Sequence, residues 1–254
     1  RHSMDLITPI SAEDCALQAS PFVSPAKWHL AHTTWFFETF ILLKYFSGYR
    51  PFHADFQVLF NSYYNGIGEQ YARPKRHLLS RPTLEEVIEY RDHVNRTVEE
   101  LLKLSSDNLD EIEALITLGL NHEQQHQELM LMDLKYCFFQ NPLFPAYQIH
   151  PCEFREPSIK PLEFIPMNGG LYEVGASGSD FHFDNETPLH QTYLSPFSVA
   201  DRLITNGEYL QFIEAGGYDE ASLWLSDGWA WANQEQIKHP LYWFKKNGQW
   251  MEFG

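Results

Sequence analysis

The first half of the chain has apolar residues at the three- and four-residue spacing of amphipathic helices. Three long segments show this spacing: SPAKWHLAHTTWFFETFILLKYF, LEEVIEYRDHVNRTVEELLKL and EIEALITLGLNHEQQHQELMLMDLKYCFF. Together with a short helical remnant expected over residues 11–18, they predict a four-helix bundle.

Two of these segments begin with recognisable helix-start signals. Ser24 and Pro25 suit an N-cap followed by proline at the first helical position. Thr83 and Glu86 have the spacing of a capping box in front of the second long helix. These signals predict helix starts at the first and second segments.

The pattern changes after the proline-bearing stretch NPLFPAYQIHPCEFREPSIKP. Short alternating runs follow, and Gly169-Gly170 and the SGSD turn predict hairpins between them. A short helix is predicted after Thr205. We therefore expect two domains, an all-helical one over residues 1–156 and an α+β one over residues 157–254.

Composition narrows the range of partners. The 254 residues carry a formal charge of -16, which disfavours nucleic acid and anionic membranes because both would repel the chain. The three cysteines (Cys15, Cys137 and Cys152) are too few for a disulfide framework, and no apolar run approaches a membrane span. We therefore expect a cytoplasmic protein, and the terminal residues suggest a fragment of a longer chain.

The stretch NHEQQHQELM contains two overlapping motifs with different chemistry. HEQQH fits the H-E-x-x-H signature of zinc peptidases, with Glu123 as general base. The same stretch also fits H-x-x-x-H-x-E. His122 and His126 lie within about 40° of one another on a helix, so they can hold one metal ion. Glu123 lies about 100° to one side of His122, and Glu128 points away from it.

The first long helix provides candidates for a third ligand. His32 lies within an aromatic face that includes Trp28 and Trp35, and this face is directed at the core. His29 lies about 100° from Trp28, nearer Phe36 and Phe40, and is the weaker candidate. His32, His122 and His126 therefore predict a three-histidine site, which by ligand type alone suits zinc or iron.

Several segments together resemble one family. SPAKWHLAHTTWFFETF, FNSYYNGIG, LLSRPTLEEV and NHEQQHQELMLMD, in this order, resemble the ergothioneine-biosynthesis sulfoxide synthases, the hercynine oxygenases. These enzymes begin with a DinB-like four-helix domain. The segment from FIPMNGG to NGEYLQFI resembles the beginning of the formylglycine-generating (sulfatase-modifying, C-type-lectin-like) fold that follows it in the same family.

The resemblance implies a mononuclear non-haem Fe(II) enzyme. Such an enzyme uses dioxygen to join the sulfur of cysteine or γ-glutamylcysteine to the imidazole of hercynine, giving a sulfoxide. The resemblance assigns the three iron ligands to His32, His122 and His126, and it implies that Glu128 packs against the ligands or supports them.

The resemblance also implies roles for residues around the metal. A tyrosine beside the iron would donate a proton or electron, a glutamine would help to seat hercynine, and arginines would bind the carboxylate of the thiol substrate. The corresponding residues are Tyr63 and Tyr64, Gln125, and Arg73, Arg76 and Arg81. Because the family's second domain continues beyond residue 254, we expect another polypeptide fragment to complete the substrate cleft.

Four other readings stay open at this point. The first is the zinc hydrolase that uses Glu123, and the second is a metal-dependent thiol transferase on a DinB-like bundle. The third is a binding module whose histidines are structural. The fourth is the related family that joins cysteine to unmethylated histidine and shares the iron motif.

Overall fold

The computed structural model describes residues 1–62, 64–104, 107–148, 160–178 and 180–254. The chain divides into two compact units, Arg1–His150 and Pro151–Gly254. The domain boundary predicted between residues 156 and 157 lies outside the described residues. The two units are therefore described separately.

The first unit is helical, as predicted. Its helices are α1 (His2–Ile7), α2 (Ala26–Phe37), α3 (Leu43–Tyr45), α4 (Phe56–Leu59), α5 (Leu84–Lys103) and α6 (Leu109–Gln140). A π-helical turn, Glu38–Leu42, joins α2 to α3, and 3-10 turns occupy Asp14–Ala16 and Arg73–Leu78. No helix of the described residues combines the length and the apolar character needed to cross a membrane.

The helix expected over residues 11–18 is wrong, because only the 3-10 turn forms there. The backbone N–H of Ser11 donates to Asp14 Oδ2 at 3.0 Å, and the N–H of Asp14 donates to Ser11 Oγ at 3.1 Å. Such local side-chain bonds satisfy the backbone without a helical ladder. The first helix is instead α1, which contacts α6.

The start of α2 differs from the prediction by one residue, since Pro25 rather than Ser24 is the N-cap. Ser24 is engaged elsewhere: its N–H donates to Asp133 Oδ2 at 2.7 Å, and its hydroxyl accepts from Arg76 Nη1 at 2.9 Å. The capping box of α5 is confirmed. The N–H of Glu86 donates to Thr83 Oγ1 at 3.1 Å, and the N–H of Thr83 donates to Glu86 Oε2 at 2.6 Å.

The helix α2 is buried all round, not along a single aromatic face. Every residue from 26 to 36 is buried, and α2 contacts both α5 and α6. Gly119 of α6 permits the close approach of α2, because a Cβ there would lie 2.7 Å from Phe37 Cζ and 3.0 Å from Phe36 Cε1. A helix enclosed in this way can hold polar groups in a nearly dry interior.

Two of the three cysteines lie within the described residues. Cys15 and Cys137 are buried free thiols, whereas Cys152 lies outside the described residues. Burial raises the pKa of the Cys15 thiol to about 12 and also raises that of Cys137. Both thiols are therefore protonated and unreactive at neutral pH.

The second unit contains strands and short helices. They are β1 (Phe164–Met167), β2 (Gly170–Val174), β3 (His190–Leu194), β4 (Phe197–Ala200), α7 (Asn206–Glu214), α8 (Ser226–Gln234), β5 (Trp243–Lys246) and β6 (Gln249–Glu252). The predicted helix after Thr205 is α7, and Thr205 forms a capping box with Glu208. The chain is thus helical first and mixed α and β afterwards.

The hairpin predicted at Gly169-Gly170 does not form. Strand β1 pairs antiparallel with β4, and β2 with β3, in one continuing register, so these glycines lie in the middle of an interrupted ribbon. A Cβ at Gly169 would lie 2.6 Å from Pro196 Cδ, and Pro196 has no N–H to continue the ladder. Strands β2 and β3 are adjacent in the chain and pair across the connection that follows Val174; the turn predicted at SGSD includes Ser179, which lies outside the described residues.

The capping box makes a stability prediction for α5. Thr83→Ala removes the side-chain acceptor for the N–H of Glu86 and should lower the free energy of unfolding by about 1 kcal/mol. Thr83→Ser keeps the acceptor and serves as the matched control. Urea denaturation followed by helical circular dichroism measures the difference, and equal midpoints for Thr83→Ala and wild type would contradict the prediction.

Candidate metal centre

Helices α2 and α6 bring the three predicted ligand histidines together. His32 comes from α2 and His122 and His126 from α6, and one ring nitrogen of each lies within 4.8 Å of the other two. The ring centroids of His122 and His126 are 4.6 Å apart, and each is 5.0 Å or less from that of His32. One ion could contact all three rings after small side-chain rotations.

The hydrogen bonds of these rings test whether they suit a metal. His32 Nδ1 donates to the Phe60 carbonyl oxygen at 2.6 Å, which leaves Nε2 with its lone pair. His126 Nδ1 lies 2.9 Å from His29 Nδ1. His122 Nδ1 is buried and has no hydrogen-bond partner among the described residues. Every ring therefore keeps a nitrogen for coordination, and the donor set fits a metal that accepts imidazole.

The three imidazoles are neutral at neutral pH. Burial lowers the pKa of His32 to about 3 and that of His122 to about 4, and it lowers that of His126 far below its usual range. The other histidines add to the shifts of His32 and His126, as does the nearby guanidinium of Arg76. A neutral imidazole is the form that binds a metal, so no proton must be displaced.

Two indoles fix the plane of the His32 ring. Trp28 stacks on it with centroids 4.7 Å apart and planes 10° apart, and Trp35 stacks with a separation of 5.6 Å and an angle of 15°. The Arg76 guanidinium carbon lies 3.3 Å from the Trp28 ring centroid. Trp28, His32 and Trp35 lie at positions i, i+4 and i+7 of α2, so helical spacing places their three rings in one stack.

A buried carboxylate anchors the connection between α3 and α5. Glu38 is fully buried and accepts hydrogen bonds from Tyr49 Oη and Tyr90 Oη, each at 2.7 Å, and from the N–H of Phe52 at 2.9 Å. Its location in the π-helical turn is notable because such turns occur often at functional sites. This anchor holds the segment that contains Phe60, the acceptor for His32.

Tyr64 contacts two aromatic rings that in turn pack on the histidines. Its ring is half-buried, 5.5 Å from that of Trp35 and 6.5 Å from that of Phe36, and Phe36 is 5.2 Å from His122. Burial raises the pKa of Tyr64, so the phenol keeps its proton at neutral pH. Tyr63, the other predicted tyrosine, lies outside the described residues.

The three predicted arginines do not converge on one point. Arg76 is 4% exposed and lies close enough to His32 and His126 to lower their pKa. Arg73 is half-buried and donates to the Phe22 carbonyl, whereas Arg81 is exposed and donates to the carbonyl of Ser80 at 3.0 Å. Arg76 is thus the arginine of the three whose charge acts most directly on the histidine cluster.

The remaining predicted residues of α6 face different surroundings. Gln125 and Glu128 are exposed. Glu123 forms an ion pair with Arg91 and accepts a hydrogen bond from the Ser3 hydroxyl. A carboxylate that is occupied by a guanidinium is a poor general base, which counts against the peptidase reading of HEQQH.

His29 is the residue whose place sequence reasoning missed. Expected near Phe36 and Phe40, it is instead 3% exposed and lies between His126 and Asp133, with His29 Nε2 3.0 Å from Asp133 Oδ2. A signal was present: His126 and Asp133 are seven residues apart on α6, so they share one face. An acidic residue in that register could have indicated a partner for a histidine.

Comparisons with known proteins agree with this division of the chain. A family model of the DinB superfamily matches residues 2–130, and a model of the sulfatase-modifying factor enzyme 1-like domain matches residues 153–250. The first match covers half of the chain.

Three curated relatives are named hercynine oxygenase. The one from Mycolicibacterium smegmatis is 29% identical over 128 residues, which cover 50% of this chain and 29% of the relative. The one from Mycobacterium tuberculosis is 27% identical over 129 residues, or 51% of this chain and 30% of the relative. The one from Mycolicibacterium thermoresistibile is 26% identical over 229 residues, which cover 89% of this chain and 49% of the relative. The matches thus span half or less of each relative's length.

The lowered histidine pKa values predict how the metal-free protein responds to acid. Below pH 6.5 the unfolded chain binds protons at these histidines and the folded chain does not, so stability falls as the pH falls. The slope should be about 1.4 kcal/mol per pH unit for each such histidine, continuing down to the lowered pKa, about 4 for His122 and about 3 for His32.

Urea denaturation in the presence of a chelator between pH 6.5 and 5 measures this slope before most carboxylates titrate. His32→Phe keeps the stack with the two indoles but removes one titrating group, so it should reduce the slope. His53→Asn, at an exposed histidine, serves as the control. A free energy of unfolding that stays constant over this pH range would contradict the prediction.

Proposed function

This chain belongs to the DinB superfamily, and from that premise we propose that it forms the iron-binding part of a hercynine oxygenase. The reaction is the dioxygen-dependent joining of hercynine to cysteine or γ-glutamylcysteine, with a sulfoxide as product. The observation that carries the proposal is the set of three neutral imidazoles from α2 and α6. The names of the curated relatives support the same activity.

The overall reaction balances without a further oxidant or reductant. The S–H bond of the thiol and one C–H bond of the hercynine imidazole break, and a C–S bond forms. One oxygen atom of dioxygen is transferred to sulfur, and the other leaves as water with the two hydrogens.

The fold that we propose for the protein is a DinB-like four-helix bundle followed by a formylglycine-generating-enzyme-like, C-type-lectin-like domain.

We assign the metal ligands to His32, His122 and His126. Fe(II), once held by these residues, would bind the thiolate and hercynine and would activate dioxygen. The protein contributes a rigid and uncharged cradle: Trp28 and Trp35 hold the His32 ring, and burial keeps the imidazoles unprotonated. Because the imidazoles are neutral, the site keeps the charge of the ion and favours a thiolate over a thiol.

Tyr64 is the proposed proton donor. Its raised pKa keeps the phenol protonated, and its contacts with Trp35 and Phe36 put it beside the rings that pack on the histidines. A proton delivered from this side favours oxygen transfer to sulfur together with C–S bond formation, instead of simple oxidation of the thiol. Tyr63 is proposed for the same role from its place in FNSYYN.

The substrate-binding roles rest on charge and sequence position. Arg76 and Arg73 provide guanidinium groups for the carboxylate of the thiol substrate, and Arg76 lies nearer the histidines. Arg81 is retained as a third candidate on the exposed side of the same segment. Gln125, which precedes His126 on α6, is proposed to contact hercynine.

Metal binding can be tested without substrates. The protein is loaded anaerobically with Fe(II), nitric oxide is added as a dioxygen mimic, and the EPR spectrum is recorded. An iron-nitrosyl signal is expected for wild type and for the control His53→Ala, and it should be lost in His126→Ala. Absence of the signal in wild type, with zinc tightly retained, would overturn the proposal in favour of a hydrolase or transferase.

The role of Tyr64 can be tested through the product ratio. Tyr64→Phe removes the proton donor but keeps the ring, so the ratio of sulfoxide to oxidised thiol should fall about 100-fold or more, the usual effect of losing a general acid. Tyr45→Phe, at a tyrosine that bonds Glu111 on the surface, is the matched control. Liquid chromatography of reactions with hercynine and either thiol measures both products, and an unchanged ratio would remove Tyr64 from the mechanism.

A further inference from the structure

A buried hydrogen-bond chain leads from Asp133 to His126. Asp133 Oδ2 accepts the N–H of Ser24 at 2.7 Å and lies 3.0 Å from His29 Nε2. His29 Nδ1 in turn lies 2.9 Å from His126 Nδ1. His29 and Asp133 are buried, so the protein groups themselves must satisfy these bonds.

The direction of each bond follows from the chemistry of its end groups. The Asp133 oxygen already accepts from a backbone N–H, and an ionised carboxylate can only accept. His29 Nε2 must therefore carry a hydrogen and donate it. A neutral imidazole has one N–H, so His29 Nδ1 presents a lone pair, and the hydrogen between His29 and His126 belongs to His126 Nδ1.

We propose that His29 and Asp133 are positioning residues that fix His126 as its Nδ1–H tautomer, with the Nε2 lone pair left for the metal. This inference rests on the metal centre proposed above and adds residues outside the three ligands. The opposite tautomer would point an N–H at the ion and prevent coordination.

The hydrogen bond of His32, another of the three proposed ligands, supports this inference. His32 Nδ1 donates to the Phe60 carbonyl, so the same nitrogen is protonated in both rings and Nε2 is free in both. Hydrogen bonds from the non-coordinating nitrogen are how proteins commonly orient metal-bound histidines. For His32 a backbone carbonyl performs this role, whereas for His126 it takes two side chains from two helices.

Two substitutions at one position separate tautomer control from simple packing. His29→Gln keeps one acceptor for His126 and one donor for Asp133, whereas His29→Leu fills the space without either. With Co(II) as the probe metal, His29→Leu should weaken binding about 10- to 100-fold, the usual effect of losing such a partner. His29→Gln should recover most of the affinity and the wild-type Co(II) absorption spectrum. His53→Leu is the control at an exposed histidine.

The tautomer itself can be read in the metal-free protein. Long-range proton–nitrogen NMR of histidine-labelled wild type should show His126 with a protonated Nδ1 and an unprotonated Nε2, with His126→Gln used for assignment. His29→Leu should lose this preference and His29→Gln should retain it. If His29→Leu does not fold, the wild-type spectrum and His29→Gln still decide the question.

The outcomes distinguish this inference from the proposed function. A protonated Nε2 on wild-type His126, or Co(II) affinity and spectrum of His29→Leu equal to wild type, would overturn the positioning role even if the protein binds metal. The expected tautomer in a wild type that binds neither Co(II) nor Fe(II) would support the hydrogen-bond chain and overturn the metal centre.

Discussion

The contact between α2 and α6 is the constraint on which the candidate centre depends. Gly119 has no side chain where Phe36 and Phe37 of α2 approach, and any Cβ there would overlap their rings. His122 follows Gly119 by three residues, so this close contact lies about one helical turn from the histidine cluster. The absence of one Cβ therefore brings His32 within reach of the histidine pair on the opposite helix.

Burial sets the electrostatics of this contact. Desolvation is the largest cause of the lowered pKa of all three histidines, so the cluster enters the interior without charge. Charged side chains adjoin it: Arg76 lies against Trp28, Arg91 pairs with Glu123, and Asp133 is linked to His126 through His29. A cation bound among the imidazoles would therefore meet no positive charge on the three rings.

The sequence predicted the three histidines that cluster, but little of what surrounds them. The spacing of His122 and His126 is a local property of one helix, so it could be read directly. His32 required the further assumption that α2 faces α6. His29 and Asp133 belong to different helices 104 residues apart, and their pairing depends on packing that no local pattern encodes. The hairpin prediction at Gly169-Gly170 failed for a similar reason, because the conformation there depends on the contact of Gly169 with Pro196, which is distant in sequence.

The two readings of HEQQH differ in where one carboxylate points, and the letters of the motif are the same for both. In a peptidase the residue after the first histidine must reach water on the metal. Here Glu123 is held by Arg91 of α5 and by Ser3 of α1, two elements with no counterpart in the motif. Asp133, elsewhere on α6, is instead linked to His126 through His29. The neighbouring helices, by providing a cation on one side and an imidazole on the other, decide which acidic residue of α6 is linked to the histidine cluster.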